Sequence, residues 1–424
     1  MNKFLRPLAV LIVGIVIALP AAGQSFAPIP PEEAGFSMHR LARLDSVIQA
    51  SIKQQRLAGA VALIARDGRA AHLKSYGMQD LENGVPMPTD AIFRIASMSK
   101  AVTTTAVMML YEEGHFLLSD PVSKFIPAFK NAVVAVAPPE DASAETAFVT
   151  EPARKPITIH HLLTHTAGLT YGGGLASKKY QEAALVGWYF ADKEETIGEA
   201  IKRLAGLPLH GQPGEVWQYG FSTDVLGYFV EVVSGMPLDQ FFEKRIFEPL
   251  QMHDTSFFLS PDKAGRLAPV YGHNQDGVVE LREPTATTDY LHGPRQCFSG
   301  GAGLLSTITD YGRFLQMLLN GGELDGVRLL SPKTVELMRV NHTEEMYPWG
   351  PTGFGLGFWV IDDLGRYGEL GSVGAYGWGS AYYPVYWIDP QENLVAIFMT
   401  QLLPARDLNL NRLFYTMTYQ AMVE

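Results

Sequence analysis

The chain has 424 residues, of which 47% are hydrophobic, 44 are acidic and 33 basic, and it contains one cysteine, Cys297. This composition supports a sizeable core and excludes a disordered chain or a small disulfide-stapled domain. A net charge of −11, with no basic stripe or run, offers no surface to nucleic acid or to an anionic membrane.

At the N-terminus Lys3 and Arg6 precede an apolar run, 8–19, followed by Pro20, Ala21, Ala22 and Gly23. The run falls short of the roughly 20 apolar residues of a membrane span, so 1–23 reads as a signal peptide. Its removal leaves 24–424 as the folded part, exported to the periplasm or secreted, with no stable membrane anchor. Apolar positions at helical spacing predict a helix over 38–55, then a buried strand at 59–65, a turn at 66–68 and a returning strand at 70–76. A strand-like stretch at 91–96 runs into an apolar helix over 101–113. Further helices are expected at 157–164, 196–204, 224–234 and 309–319, while 132–156, rich in Ala, Pro and acidic residues, reads as an exposed loop. Strand character returns at 355–361, 380–389 and 394–400, and a helix over 408–422 closes the chain. Strands at both ends with helices between them predict an α/β (α+β) fold. One antiparallel sheet is built from both chain ends, about 36–96 and 350–424, and flanked by helices, with a mainly helical region, about 97–349, inserted. The cleft between the two parts is the expected place for a site.

Ser97-Met98-Ser99-Lys100 lies at the junction of strand and helix. A serine and a lysine three apart at a helix start share one face. The hydroxyl then sits near the positive end of the helix dipole, with an amine at hand to take its proton. Ser260 and Lys263 repeat the spacing, but Pro261 and Asp262 make Ser260 read as a helix N-cap. A serine nucleophile also needs a proton carrier for the leaving group and an oxyanion hole. An ordinary lysine, with a pKa of about 10.4, is neutral in about one molecule in 2,500 at pH 7, so burial, a neighbouring dipole or a second group must assist it. Tyr219, in a Gly/Pro loop at 210–222 leading into a helix, has the context for that part. The glycine-rich stretch 371–381 would let a substrate approach backbone, and equally suits a turn between two strands.

Residues 97–100, Tyr219 and Trp378-Gly379-Ser380 occur in the order and at the separations of the serine β-lactamase and penicillin-binding-protein superfamily. More narrowly, the chain resembles the class C-like esterases, the family VIII carboxylesterases. The likeness runs from about Pro31 to the C-terminus and takes in 157–169, 299–304 and Asp310-Tyr311. It implies a serine β-lactamase-like fold and acyl transfer on a small-molecule ester of short to medium acyl chain, without cofactor or metal. Carried over by position, it implies Ser97 as nucleophile, Lys100 as general base and Tyr219 as proton relay. The backbone N–H groups of Ser97 and Ala381 would form the oxyanion hole, with Phe221, Tyr376, Trp378, Gly379 and Ser380 against the substrate. A D-amino-acid peptidase, a weak β-lactamase or an acyltransferase would use the same residues, and a noncatalytic binding protein could keep the fold. The sequence carries no signal for an oligomeric state.

Two departures bear on the substrate. Class C β-lactamases carry Tyr-x-Asn as their second motif, and here Phe221 replaces the amide. Their third motif begins with Lys near the substrate carboxylate, and here Trp378 stands in that place. An anionic substrate thereby loses about 1.5 to 3 kcal/mol of charge-assisted hydrogen bonding, which turns the expectation from β-lactams to neutral esters. His161 and His165 have the spacing of a helical zinc pair, but Leu162 stands where a metalloprotease has its glutamate. No Gly-x-Ser-x-Gly elbow occurs, against an α/β-hydrolase.

Overall fold

A computed structural model describes residues 26–141, 147–348 and 352–424, so the expected leader at 1–23 lies outside the described residues. The elements that place the site are helices α1 (Met38–Lys53), α2 (Ser99–Glu112), α3 (Ile159–Leu163), α4 (Ser222–Ser234), α5 (Ile308–Leu319) and α6 (Leu410–Gln420). The main sheet holds β1 (Gly59–Arg66), β2 (Arg69–Asp80), β3 (Val85–Pro86), β4 (Gly353–Phe354), β5 (Trp359–Val360), β6 (Tyr376–Gly379), β7 (Val385–Asp389) and β8 (Leu394–Met399). Its order is β4-β5-β6-β7-β8-β1-β2-β3. Neighbours pair antiparallel, and β1 from the start of the chain pairs with β8 from its end through Val61↔Met399 and Leu63↔Ile397. The sheet is therefore built from both ends, as the sequence predicts.

The central strands are apolar at every position because both faces are covered. In β1, Val61, Leu63 and Ala65 point into the larger core, whereas Ala60, Ala62 and Ile64 point into the smaller one. Strand β8 alternates likewise, with Val395, Ile397 and Met399 on one side and Leu394, Ala396 and Phe398 on the other. Helices α1 and α6 cover the smaller core. The Ser37 hydroxyl caps α1 by accepting from the Arg40 N–H, and the helix buries Leu41, Leu44 and Ile48 at helical spacing. Truncating one of these to Ala would cost about 2 to 5 kcal/mol. Helix α5 and the helical region cover the other face.

Helix α2 is buried around its whole circumference from Ser99 to Leu110, and so runs through the centre of the helical region. The strand expected at 91–96 shrinks to Phe93–Arg94, paired with Leu305–Ser306, because Ala96 turns left-handed, at φ 37, and opens a 3-10 turn over Ala96–Met98. Ser97 thus lies in a tight turn two residues before α2 begins. The strand expected at 380–389 begins at Val385, since Tyr383 N bonds back to Ser380 O at 3.0 Å and closes a turn first. The strand expected at 355–361 is reduced to β5, with left-handed Gly357 (φ 88) turning the chain between it and β4. The stretch 132–156 contains a hairpin, Val133–Val136 with Val149–Pro152, because its β-branched ends pair.

Candidate active site

Ser97 is partly exposed, while its chain neighbours 91–96 and 98–100 are all buried. The side chain of Lys100, 1% exposed, rises along α2 beside it. Lys100 Nζ is 3.4 Å from Ser97 Oγ and 3.2 Å from the Tyr171 hydroxyl, and donates to Gly301 O at 2.8 Å. It also stands 4.6 Å from the centre of the Tyr219 ring, on whose face a cation is attracted.

The turn that presents Gly301 is fixed to α2 by further bonds. The Thr103 hydroxyl donates to Gly300 O at 2.7 Å, and Ser99 Oγ accepts from Leu304 N at 3.0 Å. Ser99 is therefore a brace for the turn, while Ser97 faces outward. The Tyr311 hydroxyl donates to Met98 O at 2.9 Å and holds the turn that carries Ser97 from the sheet side.

Tyr219 reaches the site from the loop before α4. Gly220 permits this, because a Cβ there would meet Leu169 O at 2.3 Å. The Trp378 indole N–H donates to the Tyr219 hydroxyl at 3.3 Å, so β6 delivers an uncharged donor beside this tyrosine. Behind Tyr219 lies His165, wholly buried, its ring 4.9 Å from that of Tyr219 and 5.7 Å from that of Phe354. Burial, assisted by the charge of Lys100, holds His165 well below the ordinary histidine range, so it is a neutral packing group.

Gly379 and Ser380 end β6 and lead into the turn that carries Ala381. Ala381 packs with Ala96, Ala302, Tyr382 and Trp188 around the turn that carries Ser97. Two residues expected against the substrate are interior. Tyr376 is 1% exposed and packs edge-on to Phe358, and Phe221 is wholly buried against Tyr171, so each shapes the wall from behind. Ser260 occupies the N-cap position of a 3-10 turn, Pro261–Arg266, but its hydroxyl makes no capping bond, and Lys263 turns away to Asp254. Helix α3 ends at Leu163, before His165, and His161 Nδ1 serves the helix cap by accepting from Thr158 N. A groove of about 710 Å³ beside β2 and β3, rimmed by Pro261, Leu267 and Pro284, lies elsewhere and includes none of Ser97, Lys100 and Tyr219.

Sequence reasoning missed Tyr171 and Asp224. Tyr171 follows directly on the matched stretch 157–169 and supplies a hydroxyl to Lys100 where Phe221 has none. Burial, then Asp224 and Tyr219, push its phenol well above the ordinary range. Asp224 is a buried carboxyl in the first turn of α4, where an acidic residue reads in the sequence as an ordinary helix start.

The family model described as Beta-lactamase matches residues 44–415. Protein Rv1367c of Mycobacterium tuberculosis is 36% identical over 84% of this chain and 90% of its own length. Esterase EstB of Burkholderia gladioli is 30% identical over 85% of this chain and 90% of its own. Among solved structures, EstCE1, described as a hydrolase with promiscuous acyltransferase activity, superposes with a TM-score of 0.74 at 27% identity, covering 91% of this chain and 98% of its own. The chain belongs to the beta-lactamase family, as a serine hydrolase of that fold.

Proposed function

We propose that the protein is a serine carboxylesterase that cleaves neutral esters of short to medium acyl chain through an acyl-enzyme on Ser97. The observation that carries this reading is the Trp378 indole bonded to the Tyr219 hydroxyl, 3.3 Å away, beside the Ser97 and Lys100 pair. An indole offers a hydrogen bond without positive charge, which suits an ester better than an anionic β-lactam. Similarity to Esterase EstB and EstCE1 supports the same substrate class.

In this reading Ser97 Oγ attacks the ester carbonyl carbon as its proton passes to Lys100 Nζ. The carbonyl π pair moves onto oxygen, where the N–H groups of Ser97 and Ala381 receive it. Collapse breaks the bond to the alcohol oxygen, which takes a proton by way of Tyr219, and the acyl group stays on Ser97. Water then attacks the acyl carbon as it gives a proton to Lys100, and collapse breaks the bond to Ser97 Oγ, which takes the proton back as the carboxylic acid leaves. Export belongs to the same reading and rests on the run 8–19; cell fractionation tests it.

The direct test is fluorophosphonate labelling and p-nitrophenyl ester kinetics on the wild type, Ser97→Ala and Ser260→Ala. The first substitution is expected to abolish labelling and lower kcat by about four orders of magnitude or more, and the second to leave both within twofold. Full activity in Ser97→Ala would falsify the mechanism. Faster turnover of a chromogenic cephalosporin than of a short acyl ester would move the substrate class to β-lactams.

A further inference from the structure

Asp224 is wholly buried in the first turn of α4. Its Oδ1 accepts from Ser299 Oγ at 2.5 Å and from Gly301 N at 3.1 Å, while Oδ2 has no hydrogen-bond partner among the described residues. A half-satisfied carboxylate in a core is costly unless a positive charge balances it. Burial raises the Asp224 pKa above the ordinary carboxyl value, and the charge of Lys100, with the bonds from Ser299 and Gly301, opposes that rise. Asp224 and Lys100 are joined through one residue: Gly301 gives its N–H to Asp224 and takes the Lys100 amine on its carbonyl at 2.8 Å. A Cβ on Gly301 would stand 2.5 Å from Asp224 Oδ2, so a glycine is what lets the carboxyl come this close.

We propose that Asp224 is a positioning residue that holds the counter-charge for the ammonium formed on Lys100 as Ser97 is deprotonated, acting across the turn at Gly301 that both groups hold. This rests on the ester-hydrolase reading of the same site and deepens it. The proton leaves Ser97 Oγ as the bond from Oγ to the acyl carbon forms, and Lys100 becomes cationic. The carboxylate acts on that cation through space across the buried turn, and its bond to Gly301 N fixes the residue whose carbonyl receives the amine. The other titratable groups facing the pair are Tyr171, from the loop after α3, Tyr219, from the loop before α4, His165 and Cys297. Burial keeps Tyr171 and Cys297 protonated and His165 unprotonated, so none of these three supplies negative charge near pH 7.

The test is the pH dependence of kcat and kcat/KM toward a p-nitrophenyl ester for the wild type, Asp224→Asn, Asp224→Ser and Ser299→Ala. The acid limb of kcat/KM reports loss of the proton from the base. Without the carboxylate the ammonium is less favoured, so in Asp224→Asn the limb moves to lower pH by about one unit. The plateau kcat falls by about 10- to 100-fold because the transition-state ammonium lacks its partner, and KM changes little because Asp224 does not touch substrate. Asp224→Ser, which also removes the charge, gives the same shift should the Asn variant fail to fold. Ser299→Ala keeps the carboxylate and leaves the limb in place. A folded Asp224 variant with an unmoved limb overturns the proposal, as does an equal shift in Ser299→Ala. Activity surviving in Ser97→Ala would instead remove the reading on which it rests.

Discussion

Lys100 Nζ has three oxygens near it, from Ser97, Tyr171 and Gly301, and the face of Tyr219 closes a fourth side. These groups have unequal parts. Tyr219 touches both the amine and the Trp378 indole, so it can carry a proton outward to a leaving alcohol; Tyr171, packed against Phe221 and wholly buried, can only hold the amine in place. Tyr219→Phe is therefore expected to lower kcat by about 10²- to 10⁴-fold, the usual worth of a general acid or base. Tyr171→Phe removes one hydrogen bond to an amine that keeps Gly301 O, and should cost about 10- to 100-fold in kcat/KM, as a bond worth about 1.5 to 3 kcal/mol would. Steady-state kinetics on an activated and an unactivated ester separate the two, since the unactivated leaving group depends more on proton donation. Equal losses on both esters in Tyr219→Phe would deny it that donor part.

At the scale of elements, Ser97 and Lys100 were legible because the motif is local: one turn and one helix bring its two side chains together. Tyr219 and Trp378 were legible through order and separation along the chain. Tyr171 and Asp224 were not, because their parts exist only where loops after α3 and before α4 meet the 299–304 turn, and no spacing along the chain encodes such a meeting. The same is true of the substrate wall. The loops 172–193 and 281–296 are tied together by the Tyr189 hydroxyl donating to Asp289 at 3.0 Å. The first of them lays Trp188 edge-on to Tyr382, with ring centres 5.3 Å apart, beside Ala96, Ala302 and Ala381. Under the proposed function, this half-buried indole beside the turn that carries Ser97 would limit the room for an acyl chain. Trp188→Ala should shift the ratio of kcat/KM for octanoate over acetate p-nitrophenyl esters upward by about tenfold, one or two methylenes' worth of pocket contact. An unchanged ratio would place the acyl chain elsewhere.

At the scale of the whole molecule, the sheet was legible because β1 and β8 alternate between two cores and so read as unbroken apolar runs at opposite ends of the chain. The outer strand β2 faces α1 with polar groups, and these carry a consequence for stability. His72 Nε2 lies 2.7 Å from the Tyr76 hydroxyl, which donates to Asp45 at 2.6 Å, and Lys74 pairs with the other oxygen of Asp45. Burial, opposed by Asp45, lowers the His72 pKa from 6.5 to about 4. Between those values the unfolded chain binds a proton at this position that the folded chain refuses, so His72 makes stability rise with pH across that window and fall as acid is added. Over two pH units such a group accounts for about 2 to 3 kcal/mol. Unfolding by urea at pH 7 and at pH 4.5 should show the wild type losing more stability than His72→Gln by about that amount, whatever the variant costs at pH 7. If both proteins lose the same amount, the imidazole takes up its proton without unfolding the interface between α1 and β2, and the acid sensitivity of the sheet has its origin at other groups.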